Sequence, residues 1–313
     1  MSWDGMIMIR RLHLEGANAI AGLTWGFPAI TNFLGFTHAL QRKLAGEFGV
    51  EFLKCAVICH WHQALTNDNN YYQTFNITRN PLDKSGNTAS INEEGKMHCE
   101  VSLVIAYREG DDIELDDENY DALEHRILEL TKASKVAGGR VERVKSVKIL
   151  AKPYVEENTP KLLRSLLPGF ALVSRHPLLE EAQQKYRDKH SNQSNHDLSA
   201  WLQFAQIRHQ STQENTDGED DTSPKIIWER IQETEGWIKP IAVGYQAISP
   251  LYEPGEMALL RDMAVSSRHV EWLYSLGEWI SPHRVNGFDE IFWQYDYRND
   301  SQYLCVNDYE SIL

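Results

Sequence analysis

Between residues 6 and 151 two hydrophobic periodicities alternate in an order that few architectures accommodate. MIMIRRLHL (6–14) reads as a strand and 15–27, with Gly16, Gly22 and Gly26, as a loop. Pro28 suits the first turn of a helix, and Ile30, Phe33, Leu34, Thr37, Leu40 and Leu44 recur at spacings of three and four until Gly46 and Gly49 end it. EFLKCAVICHWH (51–62) is apolar through its centre, as a strand covered on both faces would be, and MHCEVSLVIAY (97–107) reads as a third strand. The stretch 66–96 between them carries Asn, Asp, Gly and Pro clusters and is too long for a simple turn, so it is expected to form an arm or an extended hairpin. Asp116 and Asp117 offer caps for a helix over 118–136, with Leu123, Ile127 and Leu130 on one face and Gly138-Gly139 as its stop. RVERVKSVKILA (140–151) reads as a closing strand.

Strand, helix, strand, arm, strand, helix, strand is the order of a ferredoxin-like or RRM-like α+β fold, with two helices on one face of an antiparallel sheet. Residues 1–155 are therefore expected to form an RRM-like domain with the 66–96 arm. After it, 160–167 reads as a short basic helix, 169–175 as a glycine-led strand and 176–209 as a helical insertion in two pieces broken around 191–195. The acidic, polar 211–224 reads as a mobile linker, so 156–235 forms a helical and linker region. Residues 236–313 are expected to complete the body with a strand at 237–249, a helix at 266–280 and strands near 290–297 and 302–306.

The formal charge of −14 argues at first against a nucleic-acid binder. Its distribution weakens that objection: 109–121, 214–221 and 289–310 together carry −18, and the other 270 residues carry +4. The stretch 126–152 holds eight bases against Glu129 and Glu142, an electrostatic footprint that a solvated face would also present. There is no run of about 18 apolar residues and no start typical of a secreted chain, so a cytoplasmic protein is expected. The four cysteines, Cys55, Cys59, Cys99 and Cys305, stand in apolar strand contexts and are expected to be reduced and buried.

Cys55, Cys59, His60 and His62 invite a metal site, but on a strand Cys59 would point away from both histidines, and no second ligand pair completes a tetrahedron. Neither metal nor cofactor is expected. DDIELDDE (111–118) reads as a solvated helix start rather than a calcium loop, and no nucleophile elbow or phosphate-binding glycine loop occurs. His13, His38, His60, His62, His98 and His283 each suit general acid–base work without a context that singles one out. RNA binding draws on places where arginine, aromatic residues and flexible backbone coincide: 18–28 with Trp25 and Phe27, 76–81 with Arg79 and Asn80, 167–175 with Phe170 and Arg175, and 281–285 with His283 and Arg284. Each also reads as packing, and Phe170 is placed in the core.

Taken together, NAIAGLTWGFPAITNFLGFTHALQRK, FNITRNPLDKSGNTASINEEGKMHCEVSL, LLRSLLPGFALVSR and GWIKPIAVGYQAISPLYEPGE followed by LGEWISPHRV resemble the Cas-five-type subunit of the type I-F CRISPR surveillance (Csy/Cascade) complex, a RAMP-superfamily protein. The blocks run in the family's order from about residue 10 to 285. The resemblance implies a non-catalytic, RNA-binding subunit that pairs with the large Csy subunit, holds the 5′ handle of the crRNA and meets the repeated backbone Csy subunit, in antiviral defence. It implies phage anti-CRISPR proteins as further partners. The expected handle contacts are Arg79, Asn80, Arg175, His283 and Arg284, with Trp25 and Phe27 stacking or shaping the loop. The arm 66–96 is the expected thumb, and 176–209 the rival protein contact. A metal-independent CRISPR repeat endoribonuclease and a protein-only scaffold are the alternatives.

Overall fold

A computed structural model describes residues 3–68, 72–76, 82–88, 94–110, 117–190, 196–206, 208–214, 225–231, 236–260 and 262–309. Strand β1 (Gly5–Asn18) outruns the expected 6–14 because Ala17 and Asn18 still pair with Met97 and Lys96. Its register shifts between Ile9 and Leu12, where Arg11 adopts φ 52°. The expected loop after β1 contains a small ribbon, β2 (Ile20–Ala21) and β3 (Thr24–Trp25). It turns at Gly22, where a Cβ would strike the Tyr274 hydroxyl and the Trp272 ring. Helix α1 (Ile30–Leu44) buries the expected apolar row, and β4 (Val50–Ala64) follows. The described part of the arm includes the hairpin β5 (Thr66–Asp68) and β6 (Gln73–Phe75), ahead of β7 (Lys96–Glu109).

Helix α2 (Asp117–Lys132) ends short of 136 because Lys135 and Val136 form β8, which reverses into β9 (Gly139–Arg143). The expected strand 140–151 is thus two, β9 and β10 (Ser146–Ala151). Helix α3 (Lys152–Ser165) starts well before residue 160, with Pro153 in its first turn, where the missing N–H costs nothing. Strand β11 (Phe170–Ser174), α4 (His176–Lys189) and α5 (His196–Ala205) follow. The helical insertion therefore ends before 209, since β12 (Arg208–Glu214) pairs with β13 (Lys225–Ile231). Ser211–Glu214, expected in the linker, belong to this ribbon; 215–224 lie outside the described residues.

The remaining strands are β14 (Ile238–Ala247), β15 (Val270–Ile280), β16 (Trp293–Asn299) and β17 (Gln302–Asn307). Strand β15 corrects the helix expected over 266–280. The apolar residues of VEWLYSLGEWI fit three-four spacing almost as well as alternation. β11 and β14 lie on either side of this segment, and as a strand it satisfies the backbone groups of both.

Strands β4, β7, β1 and β10 pair antiparallel in that order, which is the ferredoxin-like arrangement, and the fold is α+β. Helices α1 and α2 cover one face over a core that includes Ile7, Ile9, Phe33, Leu40, Leu103 and Ile127. The outer edge of β4 does not end the sheet. It pairs with β16 at Cys55 and with β11 at Ile58 and Cys59. Since β11, β15, β14, β17 and β16 are themselves paired in succession, those five strands and β4 close a ring. On the face opposite α1 and α2, α3 and residues 280–292 cover Met6, Met8, Ile58 and Val104, and among the described residues the other end of the sheet is left open. Among the described residues no helix is long and apolar enough to cross a membrane.

Candidate nucleic-acid interface

Where the β2–β3 ribbon, the end of β4 and the starts of β11 and β14 converge, a cleft of about 660 Å³ opens. Its walls hold Trp25, Trp61, Phe170 and Trp237, which are 54, 45, 38 and 60% exposed. Large rings left this open inside a concavity offer flat faces to an unstacked base. Phe170 and Trp237 lie 4.8 Å apart, and Trp25 meets Phe75 of the arm edge-on at 5.3 Å. Phe27 forms part of the floor, stacked on Phe33 at 5.7 Å and edge-on to Trp279 at 4.8 Å. His60, His62 and Lys239 supply the ionisable groups of the lining. Phe170 is thus a half-exposed cleft residue and not core: Gly169 is buried against β4, and the ring is turned toward Trp237.

The wall is held by His60. Its Nδ1 lies 2.7 Å from the Pro168 carbonyl, which can only accept, so Nδ1 carries the proton. Nε2, 2.7 Å from Ser102 Oγ, accepts from that hydroxyl, which in turn accepts the Arg11 N–H at 3.0 Å. Burial, partly opposed by the bond to Pro168, pulls the imidazole below its ordinary pKa and favours this neutral tautomer. The fit requires glycine at 169, since a Cβ there would stand 2.6 Å from His60 Nδ1 and 2.8 Å from Leu166 O.

A register shift between Cys59 and Trp61 breaks the alternation expected there, so Cys59, His60, Trp61 and His62 all line the cleft. Proximity does not make them a metal site: the Cys59 thiol faces Trp61 O at 3.6 Å, and burial pushes its pKa up to about 12. All four cysteines are free and buried.

The other residues singled out from sequence lie elsewhere. Arg175 stands at the N-cap position of α4 and places its guanidinium on Glu278 at 2.6 Å, where the two side chains are only 16% and 12% exposed. His283 and Arg284 are exposed on a 3₁₀ turn, Pro282–Arg284, with His283 Nδ1 2.8 Å from Ser281 Oγ. Arg79 and Asn80 lie outside the described residues. Trp61, Trp237, Lys239 and Trp279 escaped the sequence reading as a group. Trp61, Trp237 and Lys239 sit in stretches that read as ordinary strands and Trp279 in the segment expected as a helix over 266–280; the tryptophan between two histidines in CHWH (59–62) is the one available hint.

Residues 7–305 match the family described as CRISPR-associated protein (Cas_Csy2). The chain is also 37% identical over 304 residues to the CRISPR-associated protein Csy2 of Pseudomonas aeruginosa (strain UCBPP-PA14), covering 93% of this chain and 91% of that protein.

Proposed function

The chain belongs to the Cas_Csy2 family of CRISPR-associated proteins, and on that premise we propose that it works as a non-catalytic subunit of the type I-F Csy surveillance complex that grips the 5′ handle of the crRNA. The observation that carries the reading is the cleft. Four partly exposed aromatic rings, with Lys239 and two histidines, line a concavity suited to splayed single-stranded bases. The strand order β4, β7, β1, β10 supports placing the chain among Cas-five-type RAMP proteins.

In this reading Trp25 stacks on a base and Phe27 shapes the floor. Arg79 and Asn80, and His283 with Arg284, supply polar contacts to the handle, the latter pair from the exposed 3₁₀ turn. Arg175 contributes through its pair with Glu278, which ties the end of β11 to β15 behind the cleft wall. The large Csy subunit and the repeated backbone subunit are the protein neighbours, the arm being the element that reaches the latter.

The test is handle binding by the chain co-purified with its large subunit. Trp25→Ala with Trp237→Ala is expected to weaken binding of handle-bearing RNA by about 100-fold, two stacking contacts at ~1–3 kcal/mol each. Unchanged binding in that double variant would remove the cleft from the mechanism.

A further inference from the structure

Next to the cleft, one row of side chains crosses the open end of the sheet. Trp61, Glu100, His13 and Arg143 are direct cross-strand partners on β4, β7, β1 and β9, and so project from the same face. The Trp61 and His13 rings stack at 5.9 Å and 12°, and Trp61 is at the same time a wall of the cleft. Between their strands, Glu100, 16% exposed, receives Arg11 Nη1 at 2.8 Å and Arg143 Nη2 at 3.4 Å. Arg143 itself is 68% exposed, so Glu100 steers one edge of the guanidinium and leaves the rest facing outward.

Lys145 follows in the turn between β9 and β10. It is exposed, its backbone N–H bonds to Arg10 O at 3.0 Å, and its ammonium has no partner among the described residues. Arg10 and Arg11, on the β1 irregularity, donate to Ser165 O at 2.6 Å and Leu167 O at 3.4 Å. The segment leading into Phe170 is thereby tied to the same cationic corner. The acid that faces this corner besides Glu100 is Glu142, 3.3 Å from His13. Elsewhere in the basic stretch 126–152, Arg126 is spent on Glu47 and Glu129 and Lys148 on Glu124. Arg143, at the far end of the row that starts on Trp61, and Lys145, two residues on, stay turned to solvent.

We propose that the RNA strand leaving the cleft passes over Trp61 and lays consecutive phosphates on Arg143 and Lys145. This strip is a second RNA-contacting surface, indifferent to sequence, and it rests on the reading that the cleft holds RNA. Continuity favours RNA over an acidic protein surface. The ring at the cleft mouth is the first member of the row that ends on the arginine, and a guanidinium held along one edge presents its remaining N–H groups in the fork that suits a phosphate.

The experiment compares full-length wild type with Arg143→Gln/Lys145→Gln, each co-purified with the large subunit, binding fluorescein-labelled handle-bearing RNA from about 50 to about 300 mM KCl. Each lost phosphate contact flattens the log–log salt dependence by about 0.7, so the double variant is expected to lose about 1.4 from the slope. An unchanged slope overturns the strip. If the slope is unchanged while Trp237→Ala weakens binding about 10-fold, the strip alone falls and the cleft stands; if neither variant matters, both fall. Loss of the large subunit during purification with RNA slope intact would reassign the strip to a protein contact, and equally overturns the proposal.

Discussion

Arg175 Nη1 and Glu278 Oε2 stand 2.6 Å apart between the end of β11 and strand β15, with most of both side chains out of solvent. Removing one partner leaves the other as a buried unpaired charge. Arg175→Ala is expected to cost about 3 kcal/mol in urea unfolding, and Arg175→Met with Glu278→Leu to recover most of that loss. A single variant of unchanged stability would show that the pair with Glu278 does not hold β11 to β15.

Trp293 is fully buried on β16, and its indole N–H donates to Leu172 O on β11 at 2.8 Å. This bond spans the place where the two strands approach the same edge of β4. Trp293→Phe leaves the carbonyl without that donor and opens a void, and should lower the unfolding free energy by about 2–3 kcal/mol. Denaturant titration of the purified variant measures it.

His60 links folding to pH. Its folded pKa lies below the ordinary 6.5, so between those two values the unfolded chain binds a proton that the folded chain does not. Stability therefore rises with pH across that window and is lost on acidification, levelling below the folded value. His60→Gln removes this contribution. The stability gap between wild type and variant should narrow from pH 8 to pH 5, as read from paired urea midpoints; a constant gap would show that folding leaves the His60 pKa unshifted.

The cysteines give a simple chemical check. Burial raises the pKa of Cys59, Cys99 and Cys305 to about 12 and that of Cys55 further still. An aromatic disulfide reagent at pH 8 should find no rapidly reacting thiol in the folded protein and all four after denaturation. Fast labelling at Cys59 would mean that the cleft floor opens.

The order of the first four long strands and two helices was legible because each has a periodicity that only one type of element satisfies. α1 buries Ile30, Phe33, Leu34 and Leu40 as the spacing requires, and β4 and β7 are apolar through their centres as doubly covered strands must be. The family resemblance was legible for a different reason: it rests on long ordered blocks and needs no folding. Residue 270–280 was misread because its aromatic-rich pattern fits both periods, and the choice lay with the edges of β11 and β14.

The site depended on still longer range. Trp61 and Trp237 stand far apart in sequence and face one cleft only because β4 shares its outer edge between β11 and β16, closing the ring of strands. Phe170 looked like core and became wall because Gly169, pinned under His60, takes the buried position beside it. Arg175 looked free until Glu278 was brought to it. Sequence by itself determined which segments are strands and helices over most of the first half, and to which family the chain is akin. Which aromatic rings stay open and which cations stay unspent was decided by tertiary structure, because exposure and pairing depend on neighbours that local pattern does not specify.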